Sequence, residues 1–157
     1  MRNVFSRQTP IDDEYGTCLE TRATLRIYPP GDMSPHEITK RLEIEPSKVN
    51  VIGESHVNRL GRVRVVKFNG WFLSTEGQVR SLDTRRHLLW LLERLAAKAM
   101  QLEELQSIPG VRMSVNCAWY SRSGHGGPTL WPEQMEALAG LNLECTFDVY
   151  FLPEKDE

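Results

Sequence analysis

Ala23, Leu25 and Ile27 alternate with Arg22, Thr24, Arg26 and Tyr28, the period of two expected of a strand with one buried face. Pro29, Pro30 and Gly31 stop it. The run SPHE, Ser34 to Glu37, fits a capping box, with Ser34 as N-cap, Pro35 at the first helical position and Glu37 reaching back. Ile38 and Leu42 then give a short helix its apolar pair, and Pro46 closes it. Residues 47–61 lack a clear period, with turns marked by Gly53 and Gly61. From Arg62 to Ser74 the chain is rich in Val, Phe and Trp and reads as strand, with Asn69 and Gly70 either turning a hairpin or breaking one long strand.

Asp83 or Ser81 caps the longest predicted helix, Thr84 to Ser107, which ends before Pro109 and Gly110. Leu88, Leu92, Leu95, Ala99, Leu102 and Gln106 fall along one helical line and form its predicted core stripe. Leu89, Trp90, Ala97 and Met100 lie away from that line, an apolar arc over which self-association or docking of the N-terminal arm is expected. A strand follows in which Val111, Met113, Val115, Cys117 and Trp119 alternate with polar or small residues. After the loop WYSRSGHGGPTLWP, Trp119 to Pro132, a helix carries Met135, Leu138 and Ala139 and stops at Gly140. The last strand has the cleanest alternation, with Leu143, Cys145, Phe147, Val149 and Phe151 on one side.

One-faced alternation argues for an antiparallel or mixed sheet of four to five strands with helices packed mainly on one face. The fold class is α+β, a sandwich related to the ferredoxin-like group. Residues 1–18 read as a flexible N-terminal arm, 19–153 as a single domain and 154–157 as an acidic tail.

The 157-residue chain, 40% hydrophobic and 25% charged, is ordinary for a soluble globular protein. A net charge of −2 supplies no bulk attraction to nucleic acid or to acidic membranes. Three cysteines without a CxxC pair suit neither a disulfide framework nor a zinc site, and no metal or cofactor is implied. Cys117 and Cys145 are expected reduced and buried, Cys18 accessible in the polar arm. The N-terminus lacks the apolar run of a secretory leader, so the expected location is cytoplasmic.

The segments ATLRIY, SPHEITKRLEIEPSKV, GWFLST, HLLWLLERLAAKA, VNCAWYSRSGHGGPTLWPEQMEALAGL and FDVYFL together resemble the bacterial family catalogued as domain of unknown function 4279, from about Ala23 to Leu152. The resemblance implies a compact bacterial α+β domain; the family has no established activity, cofactor or catalytic residue to carry over. Trp131 departs from it, standing where relatives tend to carry a polar capping residue.

Two surfaces emerge as candidates. The glycine loop brings together Trp119, Tyr120, Ser121, Ser123, His125 and Thr129, with Trp71 as a neighbour. Its GxGG spacing completes neither the P-loop nor the dinucleotide pattern, and turn-making is the ordinary role of such glycines. Ser123 and His125 contain the atoms of a nucleophile and a base, without a nameable orienting acid. The second surface is the even-numbered strand face, with Arg22, Arg26, Tyr28, Arg112, Asn116, Tyr120, Asp148 and Tyr150. Arg59, Arg62, Arg64 and Lys67 add a local basic run.

The leading expectation is a non-enzymatic binding or protein-interaction module, taking a protein partner or small ligand and with Leu89, Trp90, Ala97 and Met100 as a homodimer interface. Nucleic acid and membrane are not expected partners. The alternative is a small-molecule enzyme, a hydrolase or transferase, with its pocket at the 119–131 loop.

Overall fold

The computed structural model describes residues 4–7 and 9–151, so the tail at 154–157 lies outside the described residues. In chain order the elements are β1 (Cys18–Tyr28), α1 (Pro35–Leu42), β2 (Lys48–Asn50), β3 (Ser55–Val57), β4 (Val63–Val65), β5 (Gly70–Ser74), α2 (Thr84–Ala96), α3 (Ala99–Gln106), β6 (Arg112–Ser121), α4 (Pro132–Gly140) and β7 (Glu144–Phe151). A 3-10 turn, Val4–Ser6, precedes them. The five-stranded sheet runs β2-β5-β1-β6-β7, and β3 and β4 pair as a separate hairpin. β6 and β7 are parallel, joined through α4, and the other pairs are antiparallel.

This is the α+β class that the alternation predicts. Ala23, Leu25 and Ile27 of β1, Trp71 and Leu73 of β5 and Val115 and Cys117 of β6 pack in one core with side chains from all four helices. Helices therefore cover one face of the sheet, and the even-numbered face stays open. No helix among the described residues is long and apolar enough to cross a membrane.

The predicted helix 84–107 is two helices. At Lys98 the backbone tightens, its N–H bonding Leu95 O at 2.9 Å, three residues back rather than four. Between Leu95 and Leu102 the chain offers only alanines, Lys98, Met100 and Gln101, so no large buried side chain holds the first helical line across the junction. The buried stripe shifts accordingly to Leu102 and Leu105, leaving Ala99 exposed and Gln106 half-buried.

Asn69 breaks the predicted 62–74 strand instead of turning a hairpin. Its Oδ1 accepts from Ile52 N at 2.9 Å and its Nδ2 donates to Met33 O at 2.9 Å, tying three segments together. The hairpin turn lies at Asn58, whose Oδ1 accepts from Leu60 N and Arg62 N. At α1, Ser34 caps His36 N as expected, while Glu37 pairs with Arg41 four residues on.

Two cysteine expectations are corrected. Cys18 begins β1 and is fully buried, because the polar arm ends one residue earlier and β6 pairs over it. Cys145 is only half-buried. Its strand β7 is the sheet's edge, and Phe147, Val149 and Phe151 beside it are exposed because α4 covers only the start of the strand, at Leu138 and Leu143.

Candidate functional site

The glycine loop is strapped to the N-terminal segment. Tyr15 OH donates to Gly127 O at 2.7 Å and lies 2.9 Å from Thr129 Oγ1, while Arg122 N donates to Thr17 O. Gly126 has a φ of +90°, and a Cβ there would stand 2.5 Å from Thr17 Oγ1. Only glycine satisfies both the left-handed backbone and this close approach. Within the loop, Ser121 Oγ donates to His125 O and accepts from Gly124 N, so the buried Ser121 shapes the turn.

Around it the predicted surface residues separate. Trp119 is fully buried, edge-on to Tyr15 at 6.5 Å between ring centroids. Trp71 is buried elsewhere, its indole N–H donating to Thr39 Oγ1, and is no neighbour of the loop. Tyr120 points to the open face and stacks on Tyr150 at 4.6 Å. Ser123 Oγ and His125 Nδ1 do meet, at 3.0 Å, on an exposed stretch with no third, orienting group among the described residues. A hollow of about 600 Å³ lies beneath the loop, lined in part by Ile11, Tyr15, Thr17, Arg85 and Gly127, but Ser123 and His125 do not line it.

Arg85 was invisible to sequence reasoning. Its guanidinium is fully buried and bonds Asp83 twice, Thr9 O and Oγ1, and Pro10 O, so its donors are already taken. Burial opposes ionisation of Asp83, but the hydrogen bonds from Arg85 and from the backbone of Asp12 and Arg85 hold its carboxyl below the usual range. Trp131 sits between Arg85 and Arg7, each about 5.0 Å from the ring centroid. Packing and Gln134, whose Oε1 accepts from Trp131 N, thus start α4 without a polar cap. These contacts place the arm at the N-terminal end of α2 and on α4 rather than over Trp90. Trp90 instead carries the Arg94 guanidinium at 3.6 Å, and Leu89, Ala97 and Met100 remain exposed.

The open sheet face is better furnished. Register sets Arg26 opposite Phe72 on one side and Lys48 opposite Phe72 on the other. A Cβ at Gly70 would stand 2.7 Å from Phe72 Cζ, so the missing side chain is what lets the Phe72 ring lie over β5. There it meets Tyr28 edge-on at 5.7 Å, with Arg112 over the other side of Tyr28 at 5.7 Å. A hollow of about 760 Å³ is lined by Arg26, Tyr28, Lys48 and Phe72 among others. A second, of about 280 Å³, shares Tyr28 and Phe72 and is walled by Arg64 and Lys67 from the β3–β4 side. Among the described residues no acidic side chain pairs with Arg26, Lys48, Arg64 or Lys67. Arg22 and Glu76 line the larger hollow too, where Arg22 is paired with Glu20 at 3.2 Å and reaches Glu76 at 4.0 Å. Toward β7 the pattern reverses, with Asn116 donating to Asp148.

A family model described as "Domain of unknown function (DUF4279)" matches residues 19–152. The chain belongs to the DUF4279 family. No curated protein and no solved structure matches it. Both surfaces fall inside the matched part of this DUF4279 domain, apart from the strap residues before Leu19.

Proposed function

We propose that this DUF4279 chain is a non-enzymatic binding module whose target sits on the open sheet face. The observation that carries the reading is the set of cations, Arg26, Lys48, Arg64 and Lys67, that have no ion-pair partner among the described residues and lie around two hollows that share Tyr28 and Phe72. Self-repulsion among cations without counter-charges costs stability, so an anionic target would relieve it. Aromatic and arginine side chains in a concave setting are the residue types that dominate recognition. A ligand screen by thermal shift tests the reading. Hits on the wild type should fail to shift Arg26→Ala/Lys48→Ala and persist in Ser123→Ala/His125→Ala. The reverse pattern would move the site to the loop.

A second reading, a hydrolase or transferase at the glycine loop, has one observation in its favour: the 3.0 Å contact between Ser123 and His125. An activated serine needs a base that is itself oriented. Labelling of Ser123 by a fluorophosphonate at a rate above that of free serine would support this enzyme; inertness supports the binding module.

A further inference from the structure

We propose that the ligand of the open face is a small phosphorylated ring compound of the nucleotide class, its ring against Phe72 and Tyr28 and its phosphate between Arg26 and Lys48. The inference rests on the binding-module reading and adds to it the chemistry of the target.

Register supplies the first argument. Phe72 is the common partner of Arg26 and Lys48, and neighbouring strands lie about 4.8 Å apart. Two long cationic side chains therefore flank one ring from either side on the same face, the arrangement that lets a phosphate be held above or beside a stacked base. The aromatic platform is already assembled, because Gly70 leaves room for Phe72 and the Tyr28 ring is fixed between Phe72 and Arg112. The hollow of about 760 Å³ falls within the range of about 300–1,000 Å³ typical of small-molecule sites.

The adjoining hollow supplies the second. Asn50 lines it, and its side-chain oxygen has no hydrogen-bond partner and is closed off from solvent, so the amide must turn toward the hollow for a ligand donor to reach it. An unsatisfied buried acceptor is costly until a donor reaches it. The exocyclic amino or ring N–H groups of a nucleobase are donors of that kind, whereas a bare phosphate has none to spare.

The charge pattern across the sheet favours a compact ligand over a strand of nucleic acid. A polyanion laid across the sheet from β2 to β7 would leave the cationic half and meet Glu20, Asp148 and Glu144, the last two on β7 and sharing this face by register. Repulsion there and a net charge of −2 leave little counterion release to drive polymer binding.

Calorimetric titration of the full chain with AMP, GMP, CMP and UMP tests the proposal, with adenosine, inorganic phosphate and an oligouridylate as comparison probes. At least one mononucleotide should bind, roughly tenfold or more tighter than adenosine or phosphate. Arg26→Ala/Lys48→Ala and Phe72→Leu should each weaken it about tenfold or more, and Phe72→Leu keeps an apolar side chain in place so that loss of the fold is not the cause. The proposal is overturned if no mononucleotide binds below about 1 mM, if these variants bind like wild type, or if the oligouridylate binds far more tightly with a steep salt dependence. Should screening hits depend on Arg26 and Lys48 while mononucleotides stay silent, the nucleotide assignment falls and the binding-module reading stands. If no hit depends on them, both fall.

Discussion

Arg85 and Asp83 form a fully buried ion pair two residues apart, Nε to Oδ1 at 2.9 Å and Nη2 to Oδ2 at 2.7 Å, and the same guanidinium holds the carbonyls of Thr9 and Pro10. Removing one partner strands the other without water. Arg85→Met is expected to cost about 3–5 kcal/mol in chemical denaturation and to expose residues 9–17 to protease. The Asp83 carboxyl is held below its ordinary 3.8, so its contribution is present above that pH and lost as pH falls through the folded value. A loss under 1 kcal/mol would mean that the pair is dispensable.

His87 titrates in a different window. Its Nδ1 lies 2.6 Å from Thr75 Oγ1, which itself accepts from Ala23 N, and its Nε2 lies 2.7 Å from Ser81 O. The carbonyl requires an N–H at Nε2, which leaves Nδ1 to accept from Thr75: a neutral ring. Burial lowers its pKa from the ordinary 6.5. The unfolded chain therefore binds the proton more readily, and stability should fall as pH drops below about 6.5. Denaturation midpoints between pH 7.5 and 5 should decline in wild type and flatten in His87→Gln; equal slopes would remove His87 from the account.

Cys117 and Cys145 approach to 3.9 Å between sulfurs, yet a disulfide is not expected. Cys145 pairs with Val115 and Cys117 with Phe147, so the two cysteines are diagonal neighbours. Strands about 4.8 Å apart with an offset of two residues, about 3.3 Å each, set such Cα atoms about 8 Å apart, beyond the usual disulfide span. The hydrogen bond from Cys117 raises its own thiol pKa, helped by burial, and lowers that of Cys145, while burial pushes Cys18 up to about 11. Mass-spectrometric alkylation kinetics should show Cys145 reacting first, with Cys18 and Cys117 protected until unfolding. Mild peroxide should leave no intramolecular crosslink.

The strap over the glycine loop makes a paired prediction. Gly126→Ala forces a methyl into Thr17 at a positive φ, whereas nothing lies within 4 Å of a Cβ at Gly127. We expect the first to destabilise by about 1–3 kcal/mol and the second to stay within about 0.5 kcal/mol. Denaturation of Gly126→Ala combined with Thr17→Gly should recover the steric part of the loss.

At Gly70 the outcome is reversed. An alanine there meets only the far end of the Phe72 side chain within 3.0 Å, so the ring can swing aside and stability should change by less than about 1 kcal/mol. The platform with Tyr28 should nevertheless be lost, seen as a collapse of ring-current shifts on Tyr28 by NMR and as loss of any open-face ligand response. Unchanged Tyr28 shifts would mean that the ring never needed the space.

The sheet, its open face and the Ser34 cap could be read from alternation and capping chemistry, because those signals are local. What could not be read depends on partners far along the chain. Val149 and Phe151 alternate as cleanly as Leu25 and Ile27, but alternation says which side a residue faces and not whether a helix reaches over it. Trp119 stands beside glycines and so reads as part of the loop surface, although strand parity sets it with the buried Val115 and Cys117, and Tyr15 packs edge-on against it. Arg85 reads in sequence as one basic residue in a run of two, since its partners Thr9 and Pro10 are set by how the arm returns. Of the candidate residues, Arg26 and Tyr28 could be found from strand parity, whereas Phe72, Lys48 and Asn50 joined them only through register.

The placement of β1 at the middle of the sheet also bears on how the molecule is born. Thr24 has Ser74 on one flank and Asn116 on the other, so as the chain leaves the ribosome the first strand waits through most of synthesis with at least one bare edge. A nascent chain halted before Arg112 holds an apolar strand with unpaired backbone, which is a template for aggregation. Assembly is delayed until β6 emerges and its distant loop closes, making this a slow-folding topology for its size. Chaperone demand should therefore be set by the arrival of one late strand, not by the length of the chain.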